Sequence, residues 1–338
     1  MGEEMSEKFV PYELRPGWRD LEPIPQDDGP NPMVPIAYSH EYRSAMDMFR
    51  AIVDKGEHSE RVLDLTMDII KMNPGHYSVW AYRTETLKAL RNGTELVNEL
   101  DMLNDLVKAV LKSYQIWQHR RNIALSVPPF IASVKEIEFT TRALELDSKN
   151  YNTWAYRQWA LNHFWGIDAN WDASEDADTK KQRVWETELA YTDILIEDDV
   201  RNNSAWNHRF FVVFGSGIGG GVTQKYREVE YTKSKLLLAR HNASAWNYLR
   251  GIMVQTKSPL VEMEDFVKPM AVAETMGNGE NGRLSLTSYL AVEYLADSAA
   301  ESGRAGYAKE LYTRLAEKED PMRRRYWEHR KELCREKK

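Results

Sequence analysis

The chain has 338 residues, 42% hydrophobic and 29% charged, with a net charge of −7 and a pI near 5.7. No run approaches ~18 uninterrupted apolar residues, which excludes a membrane-spanning helix, and the acidic balance excludes general nucleic-acid binding. A lone cysteine, Cys334, leaves no disulfide framework and no Cys-rich zinc site, and points to a reducing compartment, so a cytoplasmic location is expected.

Residues 1–37 open with the acidic string MGEEMSEKFV, which lacks the apolar core of a secretory signal. Seven of the 13 prolines fall here, at 11, 16, 23, 25, 30, 32 and 35. The segment is expected to be a proline-rich extended N-terminal arm, lying along a partner or disordered. From residue 38 to 338 the pattern becomes helical and repetitive. Val62, Leu63, Met67 and Ile70 mark one apolar face, and Leu96, Leu100, Leu103, Leu106, Val107 and Val110 a second. Val134, Ile137, Ala143 and Leu144 form a third, and Leu189, Ile194 and Leu195 a fourth. Each face is followed by a polar turn (Asn73-Pro74, Ser113, Ser148-Lys-Asn150, Asn202-Asn203, Asn242) whose Asn and Ser suit the cap of a second helix. No useful stretch alternates at period two, so strands are not expected.

The second helices share one string: Trp80-Ala-Tyr-Arg83, Trp117-Gln-His-Arg120, Trp154-Ala-Tyr-Arg157, Trp206-Asn-His-Arg209 and Trp327-Glu-His-Arg330, with Trp246-Asn-Tyr-Leu-Arg250 one residue out of phase. The spacings between these tryptophans are 37, 37, 52, 40 and 81 residues. The 81 implies one repeat without a tryptophan, best placed around the apolar stretch from Leu284 to Ala300. The 52 implies an acidic loop insertion at about 166–182. The run Gly215 to Gly221 is read as a flexible Gly-rich loop rather than a nucleotide site, since no strand precedes its Gly217-x-Gly219. A single helical hairpin cannot bury its own apolar face, but a stack can. The predicted fold is therefore all-α: a crescent-shaped, right-handed superhelical solenoid of about seven helical hairpins.

Within each repeat the Trp and the Arg three residues on are helical neighbours, and their expected role is packing and ion pairing. The slot five residues before each tryptophan holds Gly75, Lys112, Lys149, Arg201 and His241, and the slot three before it holds Tyr77, Tyr114, Tyr151, Asn203 and Ala243. Cations at the start of successive helices, where unsatisfied N–H groups favour anions, suit a diphosphate or a carboxylate. Periodicity alone is equally compatible with solvated turns. No His-x-x-x-His, cysteine pair or Gly-x-x-x-x-Gly-Lys occurs, so this chain is expected to hold no metal and not to act alone.

The repeat Lys149-Asn-Tyr151-x-x-Trp154-x-x-Arg157, with the segment Trp18-Arg-Asp-Leu-Glu-Pro-Ile-Pro-Gln-Asp-Asp-Gly-Pro-Asn-Pro32 and with Asp198-Asp-Val-Arg-Asn-Asn-Ser-Ala-Trp206, resembles the α subunit shared by protein farnesyltransferase and type I protein geranylgeranyltransferase. The resemblance runs from about Phe9 to Arg330. It implies a scaffold wrapped around a β subunit that holds the catalytic Zn2+ and the isoprenoid, with Mg2+ accompanying the diphosphate. It implies transfer of a farnesyl group, or with another β subunit a geranylgeranyl group, from the prenyl diphosphate to the cysteine of a CaaX-terminated protein such as a Ras- or Rho-type GTPase. Lys149 then meets the leaving diphosphate with Tyr151 beside it. Tyr114, Asn152 and Asn202 match substrate-binding positions. Trp80, Arg83, Trp117, Arg120, Trp154, Arg157, Trp206 and Arg209 match structural ones. Asn152 departs from the family's usual glutamine, which binds the substrate's terminal carboxylate. Two alternatives remain: the α subunit of Rab geranylgeranyltransferase, and a non-catalytic tetratricopeptide-like scaffold, whose ~34-residue period and Trp-x-x-Leu-Gly pattern this chain lacks.

Overall fold

The computed structural model describes residues 9–216, 222–272, 274–276, 283–285 and 287–334. The chain divides into two units at residues 164 and 165. In the first, α1 (His40–Lys55) is followed by three hairpins: α2 (Glu60–Met72) with α3 (Tyr77–Leu90), α4 (Val97–Val110) with α5 (Tyr114–Ala124), and α6 (Pro129–Leu146) with α7 (Tyr151–Trp165). The second unit holds α8 (Ala177–Asp198) with α9 (Asn203–Phe210), and α10 (Val222–Leu238) with α11 (Ala243–Gln255). After these come a short α12 (Glu264–Val267), then α13 (Tyr289–Glu301), α14 (Ala305–Arg314) and α15 (Arg324–Leu333). Each unit has its own apolar core. One runs from Tyr12 to Tyr156, the other from Ile196 to Cys334.

Local chemistry sets the ends of the helices. Ser39 caps α1 through Oγ on the Tyr42 N–H at 3.2 Å, and Gly56 closes it with φ of +66°, a left-handed conformation that favours glycine. Asn202 and Asn242 cap α9 and α11 through their amide oxygens. Pro129, at the first position of α6, removes an N–H that would have no intrahelical partner.

Several expectations are corrected. The segment Glu274–Met276 pairs antiparallel with Arg283–Ser285, Glu274 opposite Ser285 and Met276 opposite Arg283. Strands of three residues are too short to leave a period-two trace, so the all-helical pattern hid them. The repeat without a tryptophan is represented by α13, which begins at Tyr289 rather than at Leu284. The acidic insertion is shorter than expected, because residues 177–182 already belong to α8. Gly215 ends a π-helical turn, Phe211–Gly215, and residues 217–221 lie outside the described residues.

The proline-rich arm is partly folded. Tyr12–Leu14 and Pro16–Trp18 form short 3-10 turns. Tyr12 and Trp18 are buried, edge to face at 5.3 Å. The Tyr12 N–H donates to Ser44 Oγ at 2.8 Å, and the phenol reaches Asp68 at 2.5 Å. Proline prevents a long helix here but not two turns anchored by aromatic burial.

The apolar faces read from the sequence are displaced on two first helices. On α6, Val134 is half exposed while Glu136 is fully buried. On α8, Ile194 is exposed while Trp185, Glu188, Thr192 and Ile196 face inward. A glutamate can replace an aliphatic residue in the interior only where charge and hydrogen bonds offset its desolvation, and the repeat motif supplies both.

Candidate functional site

The repeated tryptophans act on the turns that precede them. Each indole Nε1 donates to the carbonyl six residues back: Trp80 to Pro74 at 2.8 Å, Trp117 to Leu111 at 3.1 Å, Trp154 to Ser148 at 3.0 Å, Trp206 to Val200 at 2.8 Å and Trp246 to Arg240 at 2.8 Å. Trp327 instead reaches Asp320 Oδ2 at 3.0 Å. A buried indole N–H needs an acceptor and a turn carbonyl needs a donor, so one bond per repeat fixes the loop between the two helices.

The arginine and the Tyr/His of the motif meet on buried glutamates that the sequence reading missed. Arg83 grips Glu99 with Nε and Nη2, both at 2.8 Å, and His119 of the next repeat reaches the same carboxylate at 2.9 Å. Arg120 grips Glu136 at 2.7 and 2.9 Å, and Tyr156 donates to it at 2.6 Å. Arg209 grips Glu228 at 2.7 and 3.2 Å, and Tyr248 donates at 2.7 Å. His208 reaches Glu188 at 2.5 Å. Three of the guanidiniums also tie in the first helix of their own hairpin through a backbone carbonyl, Arg83 donating to Leu63 O, Arg120 to Leu100 O and Arg157 to Ile137 O, at 2.6, 3.0 and 3.1 Å, while Arg209 donates to Thr192 Oγ1 at 3.1 Å. A signal existed in the sequence. Glutamate stands eighteen residues before Trp117, Trp154, Trp206 and Trp246, and not before Trp80, where Val62 takes its place.

Electrostatics follow from this burial. Burial alone raises the Glu99 carboxyl, but hydrogen bonds from His119 and Arg83 prevail and hold it down at about 2. Burial keeps His119 below its ordinary 6.5 despite its contact with Glu99. The neutral ring therefore donates from Nε2 to Glu99, leaving Nδ1 to accept from Thr84, 2.7 Å away. Tyr156 and Tyr248 are pushed well up, first by burial and then by the glutamates they touch.

With the motif committed to the interior, the outward chemistry of the first unit lies at the starts of the second helices. Lys149 is exposed in the turn before α7. Tyr151 is the first residue of α7 and 76% exposed, with Asn152 half-buried after it. Tyr114 is the first residue of α5 and 64% exposed. The helices are neighbours, since the Trp117 ring lies 5.4 Å from Tyr156 and Arg121 sits 4.7 Å over Trp159. Tyr114 and Tyr151 therefore hold the same position on adjacent helices. Tyr77 holds it on α3, and a groove of about 130 Å3 runs between Tyr77 and Tyr114, floored by Trp80 and His119. Asn202, in the second unit, is only 2% exposed, and its Oδ1 caps Ser204 and Ala205 at 3.1 and 3.4 Å. The structure gives it a capping role rather than an open surface. Among the described residues no three His, Cys, Asp or Glu converge to hold a metal ion, so a zinc centre does not fit this chain's described side chains.

Hairpins built on this Trp, Tyr/His, Arg and Glu network define a class, and the comparisons with known proteins give the same one. The protein prenyltransferase alpha subunit repeat matches five stretches, residues 59–90, 96–126, 134–164, 185–215 and 226–256. The protein farnesyltransferase/geranylgeranyltransferase type-1 subunit alpha of Arabidopsis thaliana is 46% identical over 252 residues, 74% of this chain and 71% of the relative. The corresponding subunit of Solanum lycopersicum is 38% identical over 346 residues, 98% of this chain and 93% of the relative. A solved structure titled Candida albicans protein geranylgeranyltransferase-I complexed with GGPP matches with a TM-score of 0.78 and 27% identity, covering 94% of this chain and 98% of that one. The chain belongs to the family of protein farnesyltransferase/geranylgeranyltransferase type-1 α subunits.

Proposed function

We propose that this chain is the α subunit of a heterodimeric CaaX prenyltransferase. It scaffolds a β subunit and brings Lys149 to the diphosphate of the prenyl donor. The observation that carries the reading is the partition of each repeat. Trp, Tyr/His, Arg and Glu are committed to internal bonds, whereas Lys149, Tyr151 and Tyr114 stand exposed on two adjacent helices. The near full-length likeness to the Solanum subunit supports the CaaX enzymes over the Rab-directed one.

In the reaction the substrate cysteine loses its proton to solvent, its sulfur forms a bond to C1 of the prenyl group, and the C1–O bond breaks with its electron pair leaving on the diphosphate. Zinc, held by a β subunit beside the farnesyl or geranylgeranyl diphosphate, would lower the pKa of that cysteine so that it reacts as the thiolate. This chain contributes positive charge where negative charge grows. The Lys149 ammonium meets the departing diphosphate, and the Tyr151 phenol donates a hydrogen bond alongside it. Tyr114 and Asn152 line the path of the peptide, with Asn152 near its terminal carboxylate. Asn202 acts by holding the start of α9.

The test is co-expression with candidate β subunits, followed by single-turnover prenylation of CaaX peptides with both isoprenoid lengths. Lys149→Ala is expected to slow the chemical step about 100-fold while the heterodimer still forms. An unchanged rate in an intact heterodimer removes Lys149 from the chemistry.

A further inference from the structure

Lys112 and Lys149 occupy the same slot in successive repeats, yet their turns are built differently. Two residues before the slot stand Asn73, Val110, Asp147, Asp199 and Ala239. Where that residue has a side-chain oxygen, it accepts the slot's own N–H: Asn73 Oδ1 from Gly75 at 3.2 Å, Asp147 Oδ1 from Lys149 at 3.2 Å and Asp199 Oδ1 from Arg201 at 2.9 Å. Val110 and Ala239 have no such oxygen. Of the two lysines, Lys149 therefore has a side-chain acceptor built into its turn, and Lys112 lacks one at that place.

The rest of the Lys149 turn is closed around this bond. The Asp147 carbonyl accepts the Asn150 N–H at 3.0 Å. The other Asp147 oxygen faces Asn150 Nδ2 at 3.4 Å. Asn150 is buried, and its Oδ1 takes both the N–H and the hydroxyl of Thr153, at 3.0 and 3.1 Å. The Trp154 indole holds the Ser148 carbonyl at 3.0 Å. The main chain is thus pinned at Ser148, Lys149 and Asn150. A lysine side chain is long and flexible, so its reach is defined only as well as the main chain from which it starts.

We infer that Asp147 is the positioning residue of Lys149, fixing the main chain from which the ammonium reaches the diphosphate. The inference rests on the leaving-group reading of Lys149 given above. Asp147 acts through Lys149, so its removal bears on the chemical step and not on peptide binding.

The experiment uses the reconstituted heterodimer and compares Asp147→Ala, Asp147→Asn, Lys149→Ala and the Asp147→Ala/Lys149→Ala double variant. Asp147→Ala is expected to lower the single-turnover rate about tenfold, with the peptide KM held within about twofold. Asp147→Asn keeps the accepting oxygen without the charge and is expected to restore the rate. The double variant is expected to be no slower than Lys149→Ala alone, because a residue acting through Lys149 has nothing left to position. If Asp147→Ala does not assemble, Asp147→Glu, which moves the acceptor outward, is read in its place and is expected to be slow. A native rate for the Asp147 variants beside a slow Lys149→Ala overturns the positioning role and leaves the leaving-group reading standing. A multiplicative loss in the double variant also overturns it. A native rate for Lys149→Ala overturns both.

Discussion

A carboxylate shared by two repeats ties stability to proton uptake. Glu99 is ionised in the folded chain down to about 2, so the stability it contributes is present above its ordinary 4.5 and is lost as the pH falls from there toward 2. His119 stays neutral below its ordinary 6.5, whereas the unfolded chain takes up that proton, so stability also falls once the pH drops below about 6.5. Unfolding midpoints measured between pH 7 and pH 5 should therefore decline, and His119→Tyr should flatten that decline. Tyrosine already fills the same slot at Tyr156 and Tyr248, each bonded to its glutamate. At Asn152 a different substitution is informative. Asn152→Gln adds the methylene that the family's usual residue has, and peptide affinity measured by titration should hold or improve. A large loss would show a pocket shaped around the shorter amide. Much at this scale was legible, because the Trp, Tyr/His and Arg recur within one chain. The glutamates were not, because a residue type that is mostly exposed gives no apolar signal and their common distance from the tryptophan becomes meaningful only once a partner is known. Resemblance places Asn202 among the substrate contacts, whereas its position in the polar turn before a second helix already marks it as a cap, the role its Oδ1 takes.

Between elements, the paired charges decide which face of a helix turns inward. Glu136 on α6 receives Arg120 from α5 and Tyr156 from α7, so three helices meet at one buried carboxylate. Glu136→Ala leaves a guanidinium in the interior without a counter-charge and should cost about 3–5 kcal/mol, measurable by denaturant unfolding. Val134→Ala, two residues away but half exposed, should cost far less, although its apolarity marked it as a core position. Helix existence and order were readable from the period of apolar residues. Rotation was not, because hydrophobicity counts Val134 and Ile194 toward the core and cannot see the hydrogen bonds that bring Glu136 and Glu188 there. The short strands near residue 275 and the folded turns around Tyr12 escaped for a related reason. Both are brief, and the turns around Tyr12 are held by Ser44 and Asp68, partners distant in sequence.

For the whole chain, each unit carries its own apolar core, and the residues proposed for chemistry supply a cation and phenols but no metal cluster among the described side chains. The isolated chain should therefore show no prenyl transfer to a CaaX peptide at any zinc concentration, and activity should appear on adding the β subunit. Turnover by the purified single chain would end the heterodimer reading. The carboxylates shared between repeats also bear on where such a chain can be cut or lengthened. Arg120 and Arg209 each depend on an acid sixteen or nineteen residues further on, in the next hairpin. A fragment ending at the turn after Leu125 would look tidy on a map of tryptophan repeats, yet it would strand a charged fork in oil. Viable truncations and grafts should instead end beyond the following acidic helix, so the natural module for splicing begins and ends half a hairpin out of step with the one the tryptophans mark.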